Sequence, residues 1–173
     1  MGLTEPLPIL AIHQAAPIAA PAGGVPSADG LQSADGLMAR MEQFYAAVDA
    51  EVAGHRPVCV NRGACCRFDE YGHRLYVTAV ELAYFVARQS VHGLRAVAAD
   101  DGCPYQQAGA CTARDHRPLG CRVFFCDPAT RDWQGPLYER QLAALRQIGD
   151  EYDMPYRYVE WRAALRSAMP GDP

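Results

Sequence analysis

The seven cysteines of this 173-residue chain all fall between Cys59 and Cys126. They occur as Cys59-Val-Asn-Arg-Gly-Ala-Cys65-Cys66, then Gly102-Cys103-Pro104 with Cys111 beyond it, and finally Arg117-Pro-Leu-Gly-Cys121-Arg-Val-Phe-Phe-Cys126. Deprotonated thiols are soft ligands for zinc, copper(I) and iron–sulfur clusters, and each such centre draws about four of them to one point. A free cysteine can instead be a small buried hydrophobe. Here Gly, Pro or Arg stands beside nearly every cysteine, which marks tight turns rather than core strands or helices. The pattern points to a metal centre with Cys59, Cys65, Cys66, Cys103, Cys111, Cys121 and Cys126 as candidate ligands.

The spacing bears on which metal. A zinc ribbon offers paired C-x2-C knuckles, whereas the closest spacings here are C-x4-C at Cys121 to Cys126, C-x5-C at Cys59 to Cys65 and C-x7-C at Cys103 to Cys111. Iron–sulfur clusters tolerate looser spacing and often have Pro beside a ligand, as at Cys103-Pro104, so an iron–sulfur cluster is slightly favoured over zinc. Gly63, Gly102 and Gly120 would let backbone N–H groups approach the sulfurs. Cys65 and Cys66 are adjacent, and in extended backbone their side chains point to opposite sides. One is then expected to ligate, Cys65 ahead of Cys66, while the other packs or reacts; a second metal or a vicinal disulfide are the alternatives. Seven thiolates exceed one four-ligand site by three and fall one short of two sites. An eighth ligand would come from His116, His55 or His73, and Arg117 and Arg122 would offset thiolate charge.

The elements that must position these turns are helices. Leu37, Met41, Phe44, Tyr45, Val48 and Val52 recur at helical period, with Gly54 placed to stop the helix and Asp35 or Ser33 to cap its start. Arg74 to Val77 is extended or a short strand. Thr78-Ala-Val-Glu81 is a capping box opening a further helix, so Glu81 is read as a cap rather than a catalyst. Residues 91 to 101 are ambiguous, and Asp100-Asp101 reads as a solvated turn. After Cys126, Asp127-Pro128 makes a sharp exit. A helix follows from about Pro136 to Glu151, with Pro136 in its first turn and Tyr138, Leu142, Leu145, Ile148 and Tyr152 on one stripe. A last helix, about Arg157 to Ala168, carries Tyr158, Trp161, Leu165 and Met169. Both are expected to pack on the cysteine loops and shield them.

Residues 1–35 are rich in Ala, Pro and Gly and contain the direct repeat Ser27-Ala-Asp-Gly-Leu-Gln, Ser33-Ala-Asp-Gly-Leu. They are expected to be a flexible arm without a core of their own, and His13 and Gly23-Gly24 within it carry no role. Residues 36–170 form one domain, long enough to bury a core without metal or disulfides. A net charge of −4 and a pI near 5.7 argue against nucleic acid as partner. Lysine is absent, which removes Schiff-base chemistry. No apolar run reaches the ~18–20 residues of a membrane span. The first basic residue is Arg40, which does not suit a secretory leader. The expected location is the reducing cytoplasm, where cysteines stay available to metal.

The order of these residues resembles the YkgJ family of cysteine-cluster proteins, described as zinc- or iron-chelating domains. Their pattern is roughly C-x2-C-x2-C-C, a helix with Glu near its start, G-C-P, a further Cys, and R-P-x2-C-R-x-F-x-C. It is matched by Cys59, Cys65, Cys66, Glu81, Cys103, Pro104, Cys111, Arg117, Pro118, Cys121, Arg122, Phe124 and Cys126, over residues 59–126. Arg62 stands where the pattern has its second cysteine. The resemblance implies metal chelation. A similar cluster in flagellin lysine-N-methylase proteins would imply methyl transfer, although this chain is short for a large catalytic domain besides the cluster.

The expected molecule is a mainly α, small irregular helical domain with little or no β, its cysteine-rich loops surrounding a metal centre with a structural, electron-transfer or metal-handling role. Two alternatives differ in class: an enzyme using the centre, by methyl transfer or thiol redox chemistry, and a metal-stabilised protein-interaction module.

Overall fold

A computed structural model describes residues 28–59, 63–89, 93–97 and 102–169. His13, Gly23-Gly24, Arg62 and Asp100-Asp101, each given a reading above, lie outside them. The chain is mainly helical, with six helices and two short antiparallel pairs of strands among these residues.

Helix α1, Ala28–Gly54, is the longest. Leu37, Met41, Phe44, Tyr45, Val48 and Val52 form its buried stripe, as their spacing predicts. Each such side chain contributes roughly 1.5–3 kcal/mol when buried. The helix starts eight residues before the boundary drawn at residue 36 and runs through both expected caps, Ser33 and Asp35. Its stripe packs with helix α3 (Ala79–Gln89), helix α4 (Leu119–Val123) and helix α5 (Arg131–Glu151) into one core containing Val80, Tyr84, Leu119, Val123, Leu145 and Ile148.

Pro136 is not in the first turn of α5, which starts at Arg131. The Asp127 side chain accepts a hydrogen bond from the Ala129 N–H and caps a 3-10 turn, Pro128–Thr130, that leads into the helix. The sharp exit therefore nucleates the helix earlier than the proline does. Pro136 removes one intrahelical donor and is tolerated because Leu137, Tyr138, Leu145 and Ile148 are buried around it.

A second core holds Phe68, Val77, Phe85, Tyr105, Ala113, Trp161 and Leu165, with Cys103 and Cys111 packed against it. It gathers the short helix α2 (Phe68–Tyr71), strand β1 (Tyr76–Thr78), strand β4 (Tyr158–Glu160) and helix α6 (Trp161–Ala168). β1 and β4 pair antiparallel, with Val77 opposite Val159. The last helix is thus shorter than its periodicity predicts: residues 158–160 pair as strand, and the Glu160 side chain accepts from the Ala163 N–H to cap the helix at Trp161. Strands β2 (Gln106–Gln107) and β3 (Ala110–Cys111) form a tight hairpin. Ala108 (φ 47°) and Gly109 (φ 84°) supply the two positive φ angles of its turn. Among the described residues no helix is long and apolar enough to cross a membrane.

Candidate metal centre

Four connections bring the cysteine segments together. Gly63 adopts φ +67°, where a Cβ would stand 2.1 Å from Gln106 Nε2; that amide instead donates to the Gly63 carbonyl at 3.0 Å. The 3-10 turn Ala64–Cys66 follows. The Cys103 N–H donates to the Cys66 carbonyl at 2.7 Å, an approach that needs glycine at 102, because a Cβ there would lie 1.9 Å from the same oxygen. The β2–β3 hairpin then pairs Cys111 with Gln106 and returns it toward the first turn.

The fourth connection positions Cys121 through Glu81. The capping box is formed as expected: the Thr78 N–H donates to Glu81 Oε2 at 2.8 Å, and the Glu81 N–H donates to the Thr78 hydroxyl at 3.4 Å. The other carboxylate oxygen accepts from the Leu119 N–H at 2.8 Å and from the Tyr45 hydroxyl at 3.3 Å. One buried carboxylate thereby joins α1, the start of α3 and the start of α4, which carries Cys121. Burial pushes the Glu81 carboxyl above its ordinary pKa, opposed by the N–H and O–H donors around it.

Arg122 plays a matching part, and the expected offset of thiolate charge does not fit it. It is 4% exposed and absent from the wall of the cysteine cleft. Its guanidinium donates to the Arg117 and Asp115 carbonyls, each at 2.7 Å, pairs with Asp49 and lies 4.1 Å over the Tyr45 ring. It ties the turn before α4 back to α1. Arg117 is different: it lines the cleft, and its charge, with that of Arg114, favours the Cys65 thiolate.

All seven cysteines line one cleft of about 560 Å³, within the ~300–1,000 Å³ typical of ligand sites. Phe85, Tyr105, Phe124, Phe125 and Trp161 form much of its apolar wall. Its donor set is seven sulfurs and the Asp127 carboxylate, a composition suited to soft metals rather than calcium or magnesium. His55, His73 and His116 are not part of the wall. His55 stacks on Trp133 at 4.3 Å, the His73 Nε2 lies 3.2 Å from the Cys65 carbonyl oxygen, and His116 meets the edge of Tyr84.

The thiols are graded from inside to outside. Cys66 is buried, Cys103, Cys111 and Cys121 are half-buried, and Cys59, Cys65 and Cys126 are exposed. Cys65 and Cys66 do not point apart, because their backbone is a 3-10 turn rather than extended: their sulfurs stand 3.9 Å apart. Two thiolates on one tetrahedral zinc are separated by about 3.8 Å, given Zn–S bonds of ~2.3 Å. Cys66 also hydrogen-bonds Cys103, so it is the middle of a row of three sulfurs. Sharing its proton with both neighbours, and its burial, push the Cys66 thiol up. The hydrogen bond that each neighbour makes with Cys66 is the main cause that lowers Cys65 to about 6 and Cys103 to about 7. At Cys103 the Tyr105 N–H assists. Burial raises Cys111 and raises Cys121 further, where the charges of Cys103 and Cys65 add to it. As the thiols stand, no three His, Cys, Asp or Glu side chains among the described residues make a ready coordination shell.

Sequence reasoning did not single out Arg114, and it placed Trp161 on a helix stripe without assigning it to the cleft. The signal for Arg114 is its position three residues before Arg117, across a turn in which the Arg117 Nε donates to the Arg114 carbonyl. Compared with protein-family models, curated proteins and solved structures, the chain finds no match.

Proposed function

We propose that this chain is a cysteine-ligated metal-binding protein of the YkgJ type, holding an iron–sulfur cluster in preference to zinc, with a structural, electron-transfer or metal-handling role in a reducing cytoplasm. The observation that carries the reading is the enclosure of one cleft by seven sulfurs from distant segments, Cys65 and Cys66 on one 3-10 turn, Cys111 on β3 and Cys121 in α4 among them. A lone zinc ion is gripped by four ligands in a closed tetrahedron. A cleft of about 560 Å³ with seven sulfurs offers more room and more ligands than that, which supports a polynuclear guest. Such a guest would be held by Cys66, Cys103, Cys111 and Cys121 in the interior, with Cys65 beside them and Cys59 and Cys126 at the mouth. Bound there, it would supply either electron storage or a rigid cross-link between turns. The chain's own contribution is to orient the sulfurs through Glu81, Gly102 and Arg122 and to keep water from the inner side with Phe85, Tyr105 and Trp161.

Seven single Cys→Ser variants, purified without oxygen and assayed for metal per chain, test this. Losses of most of the bound metal are expected for Cys66, Cys103 and Cys121, with smaller losses for Cys59 and Cys126. Wild-type metal content in all seven variants would overturn the proposal.

One observation favours a second reading, a thiol redox enzyme. Cys65 and Cys103 have thiol pKa values near 6 and 7 and flank a protonated Cys66, the arrangement of an attacking thiolate beside resolving partners. Metal-free, fully active disulfide reduction would select it.

A further inference from the structure

Trp161 is 1% exposed and lies in the wall of the cysteine cleft. Its main-chain N–H donates to the Leu75 carbonyl at 2.8 Å, Phe85 meets its ring edge-on at 4.7 Å, and the Tyr105 ring stands 6.4 Å away. The ring is thus packed in one place. An indole has a single polar atom, which donates and cannot accept. Here that atom, Nε1, is buried and has no hydrogen-bond partner among the described residues. Polar groups around it are treated differently. The Tyr105 hydroxyl accepts from the Arg95 N–H, and the Thr112 hydroxyl donates to the Tyr105 carbonyl. The buried Glu81 and Arg122 are likewise engaged. A buried donor without an acceptor is destabilising, and a phenylalanine would give this core an aromatic ring without that penalty. Cys103 and Cys111 pack against the same core, so the acceptors that loading of the cleft would bring to this wall are sulfurs.

We propose that the Trp161 Nε1–H is reserved for an anionic sulfur of the loaded centre, either a metal-bound cysteine thiolate or an inorganic sulfide, and thereby raises the reduction potential of the guest. The inference rests on the iron–sulfur reading of the cleft and adds a residue that tunes the centre without ligating it. A hydrogen bond to sulfur withdraws electron density and favours the more negative, reduced state. Trp161 is a positioning residue: its N–H acts on the sulfur, and only through the sulfur on the metal.

The test uses the full chain, reconstituted without oxygen with iron and sulfide, beside two variants made at this position alone. Trp161→benzothienylalanine keeps the shape and loses the N–H, and Trp161→fluorotryptophan keeps both. Iron and sulfide per chain report loading. In a redox buffer poised at the wild-type midpoint, benzothienylalanine is expected to lower the reduced-to-oxidised ratio at least three-fold, ~28 mV for one electron at 59 mV per tenfold, with loading unchanged. Fluorotryptophan should leave the ratio at or above the wild-type value. Metal–sulfur vibrations of the wild-type chain loaded in D2O should shift from their values in H2O, and benzothienylalanine should remove part of that shift. Sulfide labelled with heavy sulfur then identifies the acceptor: affected vibrations that carry the label mean an inorganic sulfide, those that do not mean a cysteine thiolate, and either supports the inference. A fully loaded benzothienylalanine chain with the wild-type potential overturns it. So does a lower potential with the whole D2O shift retained, which would reflect altered packing. A benzothienylalanine chain that fails to load assigns Trp161 a packing role and overturns the inference as well. Failure of the wild-type chain to take up iron and sulfide would instead remove the underlying reading, and the inference with it.

Discussion

Cys66 is the sulfur on which the site turns. Its side chain sits between Cys65 and Cys103, and the proton it shares is the main reason both neighbours are acidic. Of these two neighbours, the Arg117 and Arg114 charges help Cys65, and the Arg117 charge acts on Cys111 and Cys121 as well. Alkylation of Cys65 in the metal-free, reduced protein, followed by mass spectrometry of its peptide, is therefore expected to rise with pH through a midpoint near 6. The thiolate is the reacting form and its folded pKa is lowered to about 6. Arg117→Ala should move the midpoint upward, and Cys66→Ala should move it further, because the hydrogen bond is the larger cause. A midpoint near the ~8.5 of an ordinary cysteine in the unaltered protein would refute this account of the pair. The identities of the seven candidate sulfurs were legible from spacing and neighbours. The relation between Cys65 and Cys66 was not, because an alternation rule for extended chain does not apply to a 3-10 turn, and nothing in the sequence dictates that turn before Gly63 and Gln106 are known to meet.

Between elements, Glu81 does more than its local pattern foretells. Thr78-Ala-Val-Glu81 announced a capping box, and the box is present. The same carboxylate also receives the first N–H of α4 and the Tyr45 hydroxyl, long-range contacts that depend on how α1, α3 and α4 pack. Glu81→Ala leaves the buried Leu119 and Thr78 N–H groups and a tyrosine hydroxyl without that acceptor, at an expected cost of about 2–4 kcal/mol in urea unfolding. The pH dependence has a definite sign. The folded pKa of Glu81 is raised by burial, so its contribution to stability is complete below the unfolded value of about 4.3 and is lost as pH rises through the folded one. Wild-type stability should therefore fall with rising pH in that window relative to Glu81→Gln, which has nothing to ionise. Parallel profiles for the two proteins would show that the carboxyl titrates normally. Helix stripes were the most legible elements: every residue of the α1 stripe is buried. Boundaries were less so. Asp127 starts the approach to α5 ahead of Pro136, and β4 claims residues 158–160 from the last helix because β1 is there to pair with them.

At the scale of the molecule, two cores stand on either side of a division of labour. One, built by α1, α3, α4 and α5, holds Glu81's network and sets the approach of the Arg117–Cys126 segment. The other, with Phe85, Tyr105 and Trp161 at its centre, backs the inner wall of the cleft. A mainly helical class was readable from periodicity, since helices announce themselves locally. That seven thiols would share one concave wall was suggested by their clustering, but it is carried out by contacts far apart in sequence, such as Cys103 to Cys66 and Arg122 to Asp49, and Cys111 and Cys121 reach it from a strand and a helix rather than from the turns expected. The central claim is that these thiols hold a metal, with an iron–sulfur cluster preferred. It is tested most directly by purifying the full chain without oxygen and measuring iron, zinc, acid-labile sulfide and the absorption spectrum on one sample. The account predicts iron with matching sulfide and a broad band near ~400 nm from sulfur-to-iron charge transfer. Zinc without colour would contradict the preference for a cluster, and a colourless chain with neither metal, even after anaerobic reconstitution, would contradict the claim itself.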